Sequence, residues 1–168
     1  IRVDDWDNDD LPDVFLTRTD LPPILLKDQR GGPLTVSDET EDWPTGEWLE
    51  LGDLNNDLRI DGVVANQERI EIVLNSLDTR YILPLDGFKM NGMVLTDFDN
   101  DGWLDICAYG GGLKLWRNIG TDGFTEVTEK VGLQSRMNLD IMSLSCADFD
   151  NDCDIDFLIS KTGGGLIL

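Results

Sequence analysis

The run DFDNDGWLD at residues 97–105 places an acid at its first, third, fifth and ninth positions. The same frame returns as DWDNDDLPD at 5–13, DLNNDLRID at 53–61 and DFDNDCDID at 148–156. Oxygen-bearing side chains at alternate positions wrap a tight loop around one hard cation. Side chains 1, 3, 5 and 9 and the carbonyl of position 7 then point inward. Calcium takes about six to eight such oxygens, whereas zinc favours Cys and His.

The first positions of the loops, Asp5, Asp53, Asp97 and Asp148, are 48, 44 and 51 residues apart. The agreement extends beyond the acids. Position 4 is Asn in every copy (Asn8, Asn56, Asn100, Asn151), and position 2 is large and apolar (Trp6, Leu54, Phe98, Phe149). Position 8 is apolar or Pro (Pro12, Ile60, Leu104, Ile155). One unit is therefore written four times, and a period of this order signals an array architecture.

Each loop leads into a short apolar run, at 14–16, 63–65, 106–109 and 157–160. Runs of this length between turn residues read as strands buried on both faces. Alternation predicts further strands at 69–75 and 80–85 in the second copy, and at 113–118 and 123–127 in the third. Pro22, Pro23, Gly31, Gly32 and Pro33 cut the first copy into similar short pieces. The one helix-compatible stretch, from Thr128 to Leu133, is short. The unit is thus strand, loop, strand, turn, strand, turn, strand. Four antiparallel strands in ~45 residues match a propeller blade. The expected fold is all-β, one partial β-propeller with blades near 1–45, 46–90, 91–138 and 139–168. An EF-hand would need Glu at loop position 12 between two helices; this chain has Leu16, Val64, Ala108 and Ile159 there.

Residues 97–133, DFDNDGWLDICAYGGGLKLWRNIGTDGFTEVTEKVGL, resemble an FG-GAP/VCBS-type repeat. That pattern runs D-x-D-x-D-G-x-x-D, a strand, a Gly turn, L-x-R-N, then G-x-F-x-x-V. The wording is most similar to the propeller repeats of cartilage acidic protein and of bacterial proteins with UnbV-type domains. It is more distantly similar to the integrin α-subunit propeller. The resemblance implies a seven-bladed, extracellular or periplasmic propeller with structural calcium in its blade loops and roles in adhesion or recognition. It implies as ligands Asp5, Asp7, Asp9 and Asp13 with the Leu11 carbonyl, and Asp53, Asn55, Asp57 and Asp61 with that of Arg59. The third set is Asp97, Asp99, Asp101 and Asp105 with Trp103; the fourth is Asp148, Asp150, Asp152 and Asp156 with Asp154. Up to four Ca2+ ions are expected, the second loop binding most weakly because it has three carboxylates. Position 6 departs from the pattern, being Asp10, Leu58 and Cys153 where the third loop has Gly102. Those three loops are expected to adopt a strained turn. The literal Phe-Gly and Gly-Ala-Pro signature of integrin repeats is absent.

Seven blades need more than roughly 300 residues at one blade per ~45, and the 168 residues supply about three and a half. The chain is expected to be a fragment, or to take its missing blades from another chain. It opens at Ile1 rather than Met, so the native N-terminus is expected upstream. No run approaches the ~20 apolar residues of a membrane span.

The net charge of −21 has a local origin, since 17 of the 34 acidic residues lie in the four loops. Four bound calcium ions would bring −21 to −13, still acidic enough to disfavour nucleic acid or an anionic membrane face as partner. With no His, the chain holds no imidazole base, His-ligated zinc or Ser–His triad. The three cysteines are too few for a disulfide framework. Cys107 and Cys146 fall where other copies are apolar and read as core thiols, whereas Cys153 sits at a loop position.

Four near-identical acid sets at a structural period read as scaffolding rather than as an acid–base pair, whose two carboxyls must differ. The glycine runs 110–112 and 163–165 lack the Lys-Ser/Thr sequel of a P-loop and read as strand turns. Trp6, Trp103 and Trp116 read as core or inter-blade packing; Trp43 and Trp48, flanking Pro44 and Gly46, are the candidates for an exposed contact. The expected function is a calcium-stabilised extracellular adhesion or recognition scaffold without catalysis, for a protein or glycan ligand the sequence does not name. The alternatives are a building block of a filament or surface assembly, and the scaffold segment of a larger propeller enzyme.

Overall fold

Short apolar runs separated by Gly, Pro and Asp clusters can bury themselves only by pairing side by side. The computed structural model describes residues 1–75, 79–133, 139–164 and 166–167, and shows that pairing throughout. The first copy gives β1 (Arg2–Asp4), β2 (Asp13–Arg18), β3 (Leu21–Lys27) and β4 (Thr35–Ser37). The second gives β5 (Trp48–Gly52), β6 (Asp61–Ala65), β7 (Arg69–Val73) and β8 (Arg80–Pro84). The third gives β9 (Met90–Thr96), β10 (Asp105–Gly110), β11 (Leu113–Asn118) and β12 (Phe124–Glu126). The last gives β13 (Ile141–Ala147), β14 (Asp156–Lys161) and β15 (Leu166–Ile167).

Every sheet is an antiparallel meander in chain order, with four, four, four and three strands among the described residues. The aspartate loop always joins the first strand to the second. In the third sheet, for example, Asp105 pairs with Thr96 and Cys107 with Val94. β6 is buried along its whole length and β10 nearly so, whereas β2 and β14 are half-exposed along most of theirs, so the expected two-sided burial holds only for the middle copies.

The chain divides into two compact units, Ile1–Asp86 and Gly87–Leu168. In the first unit, Trp6, Phe15, Leu25 and Trp43 form one apolar core with Leu49, Val64 and Val73 of the second sheet. Phe15 and Leu25 are cross-strand partners, as are Leu49 and Val64. Arg2 of β1 forms an ion pair with Glu50 of β5 at the edge of this core. In the second unit, Cys107, Leu113, Leu115 and Val127 pack with Ile141, Leu144 and Ile159. The Asn91 amide donates to the Ile141 carbonyl at 2.8 Å. Each fully buried residue of this size stabilises by about 1.5–3 kcal/mol relative to exposure.

Several positions differ from the sequence expectation. Trp43 is not an exposed contact. It is 7% exposed and stacks edge-on against Trp6, ring centroids 5.4 Å apart. Gly62 in β6 makes the room: a Cβ there would lie 2.2 Å from the Trp43 ring. Trp48 lies half-buried in β5. Trp103 is half-buried with its ring beside Gly120, so of the two readings given for it, core or inter-blade packing, the core one does not hold. β3 runs through Pro22 and Pro23, which the sheet accommodates because β4 pairs only with Leu25, Leu26 and Lys27 beyond them. Residues 128–133 make hydrogen-bonded turns and no α-helix, with Val131 N–H donating to the Val127 carbonyl at 3.0 Å.

The first glycine run turns β10 into β11. Gly111 N–H donates to the Lys89 carbonyl at 2.8 Å, so that amide is occupied by backbone. In the second run Gly163 and Gly164 form a turn at φ 88 and 82°, while Gly165 lies outside the described residues. Among the described residues no helix is long and apolar enough to cross a membrane.

Candidate metal centres in the aspartate loops

Acids near free amides close local turns, because a short carboxylate reaches the N–H groups of the next few residues. All four loops use the same set of such bonds. The carboxylate at position 1 accepts from the amides of positions 5 and 6. In the third loop Asp97 accepts from Asp101 at 2.9 Å and from Gly102 at 2.8 Å. Asp5 accepts from Asp9 and Asp10 at 3.0 and 2.9 Å, and Asp53 from Asp57 and Leu58 at 3.1 and 2.8 Å. Asp148 accepts from Asp152 and Cys153 at 3.1 and 3.0 Å. The carboxylate at position 5 accepts from the amide of position 7: Asp9 from Leu11, Asp57 from Arg59, Asp101 from Trp103, Asp152 from Asp154.

These bonds force two left-handed residues into each turn. Position 4 has φ of 56, 56, 56 and 62° at Asn8, Asn56, Asn100 and Asn151. Position 6 has φ of 68, 67 and 74° at Asp10, Leu58 and Cys153, and 88° at Gly102. Asn takes this region readily, whereas a leucine there is strained.

Position 9 is the buried post of the loop. Asp13, Asp61 and Asp105 are at most 2% exposed. Each accepts from position 2 behind it and from an amide at or just past the end of the next strand. Asp105 holds the amides of Phe98 at 3.1 Å and Asn118 at 2.7 Å. Asp61 holds Leu54 and Asn75, and Asp13 holds Trp6 and Asp28. Burial pushes the carboxyls of Asp61 and Asp105 up to about 6, against the lowering pull of those amides. Asp13 is raised for the same reason. Asp156 of the fourth loop holds Phe149 and is half-buried.

In three loops carboxylate oxygens converge within 4.8 Å of one another: Asp5, Asp7 and Asp13; Asp97, Asp99 and Asp101; Asp148, Asp150 and Asp156. Asp9, Asp105 and Asp152, outside those triplets, accept backbone amides, as most triplet members do as well. Ligands about 2.3–2.6 Å from one calcium lie at most about 5 Å apart, so the oxygen-only sets fit that ion in spacing and in chemistry. The second loop forms no acid triplet among the described residues. Its position 3 is Asn55, whose amide donates to Asp57 at 3.1 Å. Repulsion is already visible in the fourth loop, where the Asp152 charge raises the Asp150 carboxyl.

Two bases at the loop mouths escaped the sequence reading. The Arg117 guanidinium lies 2.6 Å from Asp99 and 2.7 Å from Asp101. Lys27 lies 3.1 Å from Asp7 and 2.5 Å from Glu39, and Glu39 accepts the Trp6 indole N–H at 2.8 Å. Burial pulls the Lys27 pKa down, but its hydrogen bonds to Glu39 and Asp7 outweigh that and hold it raised. The signal was the L-x-R-N run, whose basic residue and following Asn serve the loop. Asn118 is 1% exposed and donates to the Leu104 carbonyl at 3.1 Å.

Of the cysteines, Cys107 is fully buried and its thiol is held well above the ordinary range by that burial. Cys146 is half-buried and pushed up to about 12 by the same cause. Cys153 is exposed.

Comparison with known families matches residues 97–159 to the FG-GAP-like repeat, a stretch that holds the third and fourth loops. The antiparallel four-stranded sheets fit a propeller of that type. No curated protein matches the chain.

Proposed function

We propose, for a chain whose residues 97–159 carry the FG-GAP-like repeat, a calcium-stabilised, non-catalytic scaffold of propeller blades used in recognition or adhesion outside the cytosol. The observation that carries this reading is the convergence of three carboxylates within 4.8 Å in each of three loops, always including positions 1 and 3. FG-GAP repeats are structural repeats, often calcium-binding and typically extracellular, which supports both the ion and the compartment. Up to four ions would bind, one per loop, the second loop most weakly. The ligand would be a protein or a glycan, and the remaining blades would come from the same longer chain or from another.

The bound ion would supply positive charge at the centre of each acid cluster. The protein's own residues do the rest. Position 1 and position 5 carboxylates fix the turn through backbone amides, the buried position 9 acid ties the loop to the sheet, and the position 3 acids Asp7 and Asp99 meet Lys27 and Arg117 at the mouth. Extracellular sites bind at about 10⁻⁴–10⁻³ M. A site of the tighter kind contributes roughly 1.4 kcal/mol at millimolar calcium, and four independent sites about 5–6 kcal/mol. For a chain of this size that corresponds to a rise in melting temperature of about 10 °C or more. Calorimetric melts in 1 mM calcium and after chelation test this, and identical melting temperatures would sink it.

A second reading, a building block that assembles edge to edge, is favoured by apolar residues on the outer strands. Val36 on β4 is 74% exposed and Ile82 on β8 is 59% exposed. Such edges are templates for pairing with another chain.

A further inference from the structure

The aspartates account for their own positions in the loop, but they leave unexplained why position 4 is Asn at Asn8 and Asn100. That position demands a left-handed backbone, which Gly, Asn and Asp all tolerate. The second demand lies outside the loop. The Asn8 side-chain amide donates to the Leu58 carbonyl at 3.0 Å, 50 residues away, in the second loop. The Asn100 amide donates to the Cys153 carbonyl at 2.8 Å, 53 residues away, in the fourth loop. The two bonds occur independently, one in each compact unit, and join the same pair of positions: 4 in one loop, 6 in the next. Glycine meets the backbone demand but has no donor. Aspartate meets it but offers only acceptors at neutral pH. Asn alone satisfies both.

The bond also joins places that matter for an ion. Asn100 lies between Asp99 and Asp101, both members of the third acid cluster. Its acceptor, the Cys153 carbonyl, directly precedes Asp154, whose carbonyl is the position 7 group of the fourth loop. Asn8 lies beside Asp7 of the first cluster, and Leu58 directly precedes Arg59 in the second loop. Ordering either loop around an ion therefore fixes one end of a bond whose other end is in the next loop.

We infer that Asn8 and Asn100 are clasps that couple ion binding between neighbouring loops, so that the first ion of each pair strengthens the second. The inference rests on the calcium reading above. A second ligand meets a loop whose ordering is already partly achieved, which gives positive cooperativity without a change of shape. A single hydrogen bond of this kind supports a coupling of about two- to tenfold, and the effect is reciprocal between the two loops.

The test is a calcium chloride titration of the full chain by isothermal calorimetry, with Asn100→Gly, Asn100→Asp and a loop-silencing Asp148→Asn combined in a cycle. Both Asn100 variants keep the left-handed turn and remove the donor; Asn100→Asp also adds a charge beside Asp99 and Asp101, so the affinity loss is read from Asn100→Gly. The expected result is unchanged stoichiometry, a loss of about two- to tenfold in affinity within the third and fourth loops, and a flatter isotherm. In the Asp148→Asn background, where the fourth loop is silenced, Asn100→Gly should leave the affinity of the third loop unchanged. Two outcomes overturn the clasp while the calcium reading stands: wild type and Asn100 variants titrating alike, or the variant weakening the third loop equally in both backgrounds. A wild-type chain that binds no calcium overturns both.

Discussion

Position 9 carries the loop acid with the least access to water, and its chemistry is set by that burial. Asp61 and Asp105 rise from 3.8 to about 6 because the charged form is desolvated. In the ion-free protein the native state then holds their protons more tightly than the unfolded chain does. Stability associated with these groups is present below about pH 4 and is lost as pH rises through 6. Ion-free protein should therefore melt at a higher temperature at pH 5 than at pH 7, while the gain on adding calcium should grow over the same interval. Thermal denaturation followed by circular dichroism at the two pH values checks both signs, and a metal-free stability that climbs from pH 5 to 7 would refute the first. A second residue-scale prediction concerns Gly62. Replacing it with alanine drives a methyl into the Trp43 ring and should cost about 1–3 kcal/mol. Urea unfolding of the Gly62→Ala variant reads this directly, and a midpoint equal to wild type would mean that Trp43 does not lie on β6.

At the scale of the element, the unit is a loop clamped between two strands. Its turn is closed by acid-to-amide bonds in every copy, including the second, where no acid triplet forms. The turn therefore forms without an acid triplet, although position 1 serves both the turn and, in the other three loops, the acid cluster. Restoring the missing acid with Asn55→Asp should strengthen the second loop's calcium affinity by about tenfold, since ligand charge tunes such sites. Competition against a chromophoric chelator measures it; affinity unchanged by the added carboxylate would argue that the second loop holds no ion. Most of the element was legible beforehand. The strands expected at 113–118 and 106–109 correspond to β11 and β10, because alternation dictates the first and a short apolar run between turns the second. β3 was not, since two prolines argue against a strand unless the neighbour stops short of them. The mouth bases Arg117 and Lys27 were also missed, for their acids lie on a different segment.

At the scale of the molecule, each unit brings two sheets together over one apolar core, and the chain carries a charge of −21. Such a charge keeps copies apart in solution, while the exposed Val36 and Ile82 on outer strands favour pairing. Calcium bound as proposed would lower the first term without touching the second. Sizing by light scattering in millimolar calcium separates the two proposed roles. A discrete monomer argues for the recognition scaffold, and calcium-dependent growth abolished by Val36→Lys and Ile82→Lys argues for the building block.

The four loops, their register and the all-β meander were determined by the sequence itself, because they depend on contacts within about a dozen residues. Alternation sets strands, and acids beside free amides set turns. The tertiary structure alone decided that Trp43 is core and that Asn8 and Asn100 reach across to the next loop. The tryptophan, between β4 and β5, needs a glycine 19 residues later on β6, and the clasps span 50 and 53 residues. Such pairings depend on which surfaces meet when sheets stack, and no local pattern in one chain records that.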